Sequence, residues 1–210
     1  MSHLILLGDS IFDNAAYTEG GPDVVTQLND LLPSGWAATL LAIDGSTTDG
    51  IAGQVGGLPA DATHLVLSVG GNDALQRAHL LLMPASSTEE ALGLLADLAE
   101  QFEHDYRAAV QDCLRPGLPL TICTIYNGNF PDPAYQRLVK TALAVFNDAI
   151  LRTAIAHRLP VIDLRAICTH PEDYANSIEP SSVGGEKIAR AIAALAMGTS
   201  RTDGATRIIA

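Results

Sequence analysis

Short runs of consecutive apolar residues alternate along the chain with longer stretches in which apolar residues recur every three or four positions. The first pattern marks strands buried on both faces, and the second marks helices with one buried side. Leu4-Ile5-Leu6-Leu7 is the first run, and Gly8 breaks it so that Asp9 and Ser10 emerge at its carboxyl end. A loop through Gly20-Gly21-Pro22 leads into a helix near Asp23–Leu32, closed by Pro33-Ser34-Gly35. Trp36–Ile43 reads as a second buried strand, ending at Asp44-Gly45-Ser46-Thr47-Thr48, whose hydroxyl residues cap a short helix that Gly56-Gly57 and Pro59 stop. His64–Val69 is a third strand, followed abruptly by Gly70-Gly71-Asn72-Asp73. Leu80-Leu81-Leu82-Met83 and Pro84-Ala85-Ser86-Ser87 read as a lid-like loop.

Thr88-Glu89-Glu90 is a helix start, and Leu92, Leu95, Leu98, Ala99 and Phe102 keep helical spacing to about Leu114. A fourth strand, Leu118–Tyr126, ends in the turn signal Asn127-Gly128-Asn129. A helix from about Pro133 to His157, a strand at Val161–Leu164 and a helix from about Gly185 to Met197 follow. Alternating strands and helices predict a three-layer α/β/α sandwich, its five-stranded parallel sheet ordered 2-1-3-4-5 because crossovers are right-handed. Residues 1–198 are expected to form one domain, with Thr199–Ala210 a loosely held tail.

Composition narrows the classes of partner. With 210 residues, 48% of them hydrophobic and 17% charged, the chain can bury a sizeable core. No apolar run approaches the roughly 20 residues that span a bilayer, and the N-terminus enters a strand without a basic, then apolar, leader. These features predict a cytoplasmic protein that does not engage membranes. Cys113, Cys123 and Cys168 are scattered and odd in number, which disfavours a disulfide frame or structural zinc. A net charge of −12, with 12 Lys and Arg residues in no cluster, disfavours nucleic acid, as does an aromatic content of 5%. A homo-oligomer is left open.

The chemistry gathers at three strand ends. Asp9-Ser10, Gly45 and Asn72 follow the first, second and third strands, which are neighbours in the predicted order. A serine hydroxyl becomes a nucleophile when a base takes its proton, and Asn and backbone N–H groups can stabilise the oxyanion that forms. Each residue also has an ordinary reading, Asp and Ser as helix caps and Gly and Asn as turn formers.

Together these blocks resemble the GDSL, or SGNH, hydrolase family from residue 4 to about 197. Gly8-Asp9-Ser10 resembles its nucleophile motif, Asp44-Gly45-Ser46-Thr47-Thr48 its glycine block and Gly70-Gly71-Asn72-Asp73 its asparagine block. The resemblance implies an enzyme that cleaves esters or related acyl groups of small substrates without a cofactor. It implies Ser10 as nucleophile, with the Ser10 and Gly45 N–H groups and the Asn72 side chain as oxyanion hole.

The fourth block departs from the family pattern of Asp-x-x-His-Pro. In Asn176-Ser177-Ile178-Glu179-Pro180, Glu179 stands where the base His is expected and Asn176 where its orienting Asp is expected. A register through His170-Pro171 keeps a His, but puts Ile167 at the Asp position. A solvated Glu is about two pKa units less basic than imidazole, an upper loss of ~3 kcal/mol in driving force, and burial can restore much of it. Asn176 avoids the like-charge pair that Asp beside Glu would make, and offers an amide N–H. A Ser10–Glu179 dyad is therefore expected, with His170 and His79 as other candidate bases. Asp9, Asp73 and Tyr126 are expected to line the substrate pocket, and Leu80–Leu82 could contact an acyl chain. Two alternatives stay open: a silent protein that binds an acyl group or carbohydrate, and a metal-dependent phosphoesterase using Asp9, Asp13, Asp44, Asp73 and Glu179.

Overall fold

In a computed structural model, residues 1–198 are described, so the Thr199–Ala210 tail lies outside the described residues. The elements run β1 (Ser2–Gly8), α1 (Val24–Leu31), β2 (Trp36–Leu40), α2 (Ile51–Gly56), β3 (His64–Ser68), α3 (Gly71–Gln76), α4 (Thr88–Leu114), β4 (Leu120–Cys123), α5 (Pro133–His157), β5 (Val161–Ile162), α6 (Leu164–Ile167) and α7 (Ser182–Ala196). The strands form one parallel sheet in the order β2-β1-β3-β4-β5, as the sequence predicts.

Strand β1 is the centre of the molecule, buried along Leu4–Gly8. Its residues alternate between two cores. Leu4 and Leu6 pack on one face with Val24 and Leu28 of α1, Leu164 of α6 and Ile188 and Ile192 of α7. Ile5 and Leu7 pack on the other with Ile51 of α2, Phe102 and Val110 of α4 and Phe146 and Ile150 of α5. These two helical layers and the sheet are the three layers of the α/β/α sandwich.

Local capping explains the helix boundaries. Asp23, Ser87, Asp132 and Ser181 each accept a backbone N–H at the start of α1, α4, α5 and α7. Helix α7 begins three residues before the expected Gly185, because Ser181 and not a glycine is its cap. The second strand ends at Leu40 rather than Ile43, since the N–H groups of Leu41 and Ala42 both turn onto the Leu6 carbonyl at 2.9 Å. Two other stretches are more ordered than expected. The asparagine block is itself the first turn of α3, and a 3₁₀ turn, Ala78–Leu82, takes in the start of the expected lid-like loop at Leu80–Leu82.

Candidate active site

The nucleophile motif depends on a backbone that only glycine can supply. Gly8 has φ +130°, and a Cβ there would stand 1.8 Å from the Ser68 carbonyl oxygen of β3. The Gln54 side chain of α2 holds the same residue from both sides, accepting the Gly8 N–H at 2.7 Å and donating to the Gly8 carbonyl at 2.8 Å. Beyond Gly8 the chain coils at once, with the N–H groups of Phe12 and Asp13 on the Asp9 carbonyl at 3.1 Å. Ser10 therefore sits at the tip of a sharp turn at the sheet's carboxyl edge, where open α/β sheets bind ligands.

The glycine and asparagine blocks are tied together beside it. Asn72 donates its Nδ2 to the Ser46 carbonyl at 3.0 Å, and Asp73 accepts the Thr48 hydroxyl at 2.7 Å and the Thr48 N–H at 3.2 Å. Gly45 has φ +78° in an exposed turn, flanked by the Asp44 N–H on Asp13 and the Ser46 N–H on Ile43. Among the described residues, the N–H groups of Ser10 and Gly45 donate to no acceptor, and Asn72 has a second amide hydrogen in reserve. Ser10, Asn72, Asp9, Tyr126 and Glu179 share the lining of one cavity of about 250 Å³, and Gly45 and Asp73 stand outside it. Asp73 is thus a brace on the glycine block rather than a wall of the pocket.

Glu179 reaches Ser10 from a tight hairpin between β5 and α7. Tyr174 and Pro180 form an antiparallel bridge, and the Ala175 N–H donates to the Glu179 carbonyl at 2.9 Å. The Asn176 Oδ1 accepts the N–H groups of Ile178 at 2.9 Å and Glu179 at 3.0 Å. Asn176 therefore shapes the backbone that carries Glu179, and the expected amide contact to the carboxylate is replaced by this turn. Tyr126, buried in an edge-on contact with Tyr174, donates its hydroxyl to the Ile178 carbonyl. The Asn129 N–H donates to Ser177 at 2.8 Å, and Asn14 donates to Pro180 at 3.2 Å. Below the hairpin, the buried Asp173 accepts the Thr169 and His170 N–H groups at 2.9 Å and pairs with Lys187 at 2.5 Å. Helix α7 packs so closely there that a Cβ on Gly184 would lie 2.1 Å from the Asp173 carbonyl oxygen.

Glu179 is 6% exposed, and among the described residues its Oε2 has no hydrogen-bond partner. Burial raises its pKa, the Ser10 hydroxyl hydrogen-bonding to it pulls the value back, and Asp44 pushes it up again. Asp9 is buried too, and its pKa is pushed up to about 8 by burial, against the Ile11 N–H that bonds it and with the charges of Glu179 and Asp73 adding to the rise. Burial therefore favours the neutral form of Asp9 in the neighbourhood of Glu179. His170 and His79, the other candidate bases, are exposed, and neither lines the cavity. Among the described residues, no three His, Cys, Asp or Glu side chains form a group that could hold a metal ion. Two of the five carboxylates considered for a metal are engaged elsewhere: Asp13 accepts the Asp44 N–H, and Asp73 accepts Thr48.

Sequence reasoning missed the anchors of the base hairpin, Asn14, Asn129, Asp173 and Lys187, whose partners lie far along the chain. It also missed the α5 wall of the cavity. Tyr135, Val139, Leu143 and Phe146 recur at helical spacing along it, a stripe visible in the sequence but not separable there from ordinary core.

Residues 6–184 match the GDSL-like lipase/acylhydrolase family. Comparison with curated proteins finds none that matches. Among solved structures, the chain is similar to a lipase from a goat rumen metagenome (19% identity, 92% of this chain and 97% of that one, TM-score 0.69). It is similar as well to an alpha/beta hydrolase enzyme from the metagenome of Lake Arreo, Spain (21%, 96% and 97%, TM-score 0.68), and to a lipase/acylhydrolase from Enterococcus faecalis (20%, 98% and 100%, TM-score 0.65). At these identities the structures bear on the fold, and the family match bears on the chemistry. The chain belongs to the GDSL-like lipase/acylhydrolase family and is an esterase-type hydrolase.

Proposed function

We propose that the protein hydrolyses esters of small substrates through Ser10, with Glu179 as general base in place of an imidazole. Ser10 Oγ attacks the acyl carbon while its proton passes to the Glu179 carboxylate. The negative charge moves to the carbonyl oxygen, which the Ser10 and Gly45 N–H groups and Asn72 Nδ2 stabilise. Glu179 then returns the proton to the departing alkoxide, which leaves an acyl-serine. Water, deprotonated by the same carboxylate, releases the acid and restores the serine.

One observation supports this reading above the others: a buried carboxylate beside Ser10 in the same cavity, close enough for the Ser10 hydroxyl to draw its pKa back against burial. Burial offsets the weak basicity of Glu, because desolvation penalises the charged form and raises the affinity for a proton. The neutral Asp9 adds no second negative charge beside it below about pH 8. The same reading puts the protein in the cytoplasm, and the support is that its three cysteines are unpaired thiols.

The test is labelling of Ser10 by a fluorophosphonate, together with hydrolysis of a short p-nitrophenyl ester by wild type and Glu179→Gln. Labelling of wild type, turnover that rises with pH through an apparent pKa above that of ordinary Glu, and loss of both in Glu179→Gln are expected. Wild-type rates in Glu179→Gln, with a dead His170→Ala, would move the base to His170. An unlabelled Ser10 and no turnover would leave a silent binding protein.

A further inference from the structure

The oxyanion hole draws its donors from three separate stretches of chain: the Ser10 N–H from the turn after β1, the Gly45 N–H from the loop after β2, and Asn72 from the start of α3. Donors aimed at a developing oxyanion are effective only when they are held in place before the charge appears. A contact that keeps the three stretches in register is therefore part of the machinery, even if it never meets the substrate.

Strand β2 leaves the sheet early. Leu6 is the last residue of β1 paired with it, opposite Leu40, so the Gly8 peptide faces a gap in the ladder. The buried Gln54 side chain of α2 fills that gap, because its amide meets the Gly8 N–H and carbonyl at 2.7 and 2.8 Å as a neighbouring strand would. Its second amide hydrogen reaches the Ser46 hydroxyl at 3.3 Å. Ser46 directly follows Gly45, and its carbonyl accepts Asn72 Nδ2 at 3.0 Å. One side chain thus connects the peptide before the nucleophile turn, the loop that carries Gly45 and, through Ser46, the side chain of Asn72. Neither Gln54 nor Ser46 lines the cavity.

We infer that Gln54 is a positioning residue for the oxyanion hole: by clamping the Gly8 peptide and tying it to Ser46, it sets the distances among the Ser10 N–H, the Gly45 N–H and Asn72. This rests on the ester-hydrolase reading above and adds a residue to it. The role needs an amide, since a hydrocarbon side chain of similar length gives up one accepted and two donated bonds and frees the two blocks to separate. A second clamp of the same kind, away from the site, distinguishes positioning from stability. Asn29 of α1 donates to the Ala38 carbonyl at 3.0 Å and accepts the Ala38 N–H at 2.9 Å, in the middle of β2.

The experiment compares wild type, Gln54→Met, Ser46→Ala and Asn29→Leu at a temperature where circular dichroism shows them folded. It measures kcat and KM for p-nitrophenyl acetate, and Ki for trifluoroacetone. Ser10 Oγ adds to the carbonyl carbon of that ketone while Glu179 takes its proton, so the adduct places an oxyanion in the hole with no leaving group. Gln54→Met should lower kcat about 100-fold and raise Ki by a similar factor, with KM changed by no more than about twofold, the signature of an interaction made only in the transition state. Ser46→Ala cuts only the link between the blocks and should show the same pattern at a few-fold. Asn72→Ala added to Gln54→Met should cost less than the product of the two single losses, because Asn72 is already misplaced. Asn29→Leu should keep kcat and Ki near wild type while losing stability. Wild-type kcat and Ki in Gln54→Met, or an equal loss in Asn29→Leu, overturns the positioning role while Ser10 chemistry stands. If Gln54→Met does not fold, wild-type kcat and Ki in Ser46→Ala overturn it instead. No turnover by wild type, with Ser10 unlabelled by a fluorophosphonate, overturns both readings.

Discussion

Replacing Asp9 by Asn reads the electrostatics of the site through stability rather than turnover. Asp9 is 2% exposed, and burial raises its pKa from an ordinary 3.8 to about 8 in the folded protein. The folded state keeps a proton that the unfolded chain releases above 3.8, so this group's contribution is whole below that pH and is lost as pH climbs through about 8. A rise of about four units, at 1.36 kcal/mol each, makes the loss up to about 5–6 kcal/mol. Asn is neutral at every pH, has the same shape, and keeps an oxygen for the Ile11 N–H that Asp9 accepts at 3.1 Å. The difference in stability between Asp9→Asn and wild type should therefore move in favour of the variant by about 1.4 kcal/mol per pH unit between pH 5 and 8, then level off. Urea unfolding measures it, and with an m-value of ~2 kcal/mol/M each pH unit shifts the relative midpoint by about 0.7 M. Titrating groups that do not interact with Asp9 are shared by the two proteins and cancel. A difference that does not change with pH would show that Asp9 is ionised in the folded site, and the account of Glu179 beside a neutral neighbour would fall with it.

Asn72→Ala removes a side-chain donor and one bond to Ser46, so turnover of a p-nitrophenyl ester should fall ~10²–10³-fold while the melting temperature changes little; equal turnover would remove Asn72 from the oxyanion hole. Tyr126→Phe deletes only the hydroxyl that holds the Ile178 carbonyl, a bond with a net worth of ~1 kcal/mol, so kcat should drop several-fold with KM nearly unchanged. A change in KM alone would instead make Tyr126 a simple pocket wall. Lys187→Met leaves the buried Asp173 without its half-exposed cation but with its two backbone N–H donors, and should destabilise the protein by ~1.5–3 kcal/mol at neutral pH. Asp173 keeps a lowered pKa despite burial, because Lys187 and the His170 and Thr169 N–H groups favour its charged form. That stabilisation is present above the ordinary aspartate pKa and lost as pH falls through the lower folded value, so chemical unfolding of the two proteins should converge in acid.

The exchange of His for Glu alters the demands on the rest of the site. An imidazolium formed during catalysis is a cation and calls for an anion beside it, whereas a carboxylate that takes a proton becomes neutral. Among the described residues, Glu179 has no oppositely charged partner. Asn176 supports only its backbone, and the ion pair of the region, Asp173 with Lys187, lies beneath the hairpin and braces the loop.

Strand order, the limits of the two longest helices and the three polar strand ends were legible in the residues because each follows from local chemistry. A strand buried on both faces needs an unbroken apolar run, as in Leu4–Leu7, and a helix start needs a cap such as Ser87 or Asp132 with its oxygen on the next turn. Helices α4 and α5 run Thr88–Leu114 and Pro133–His157, the bounds that spacing and caps predict. The roles of the polar residues were less legible, since a side chain's partner is set by what packing brings to it. Asp73 found Thr48, Asn176 found the turn of its own hairpin, and Tyr126 found a carbonyl 52 residues away. Burial is also collective: the proton on Asp9 and the raised pKa of Glu179 arise from the exclusion of water by several elements at once, and no single segment encodes that. The cavity is the same kind of property, a volume left between the Ala78–Leu82 turn, α4 and α5 when each has buried its other faces. Apolar spacing tells which residues leave water, and only their assembly tells whether they meet one another or enclose a space for something else.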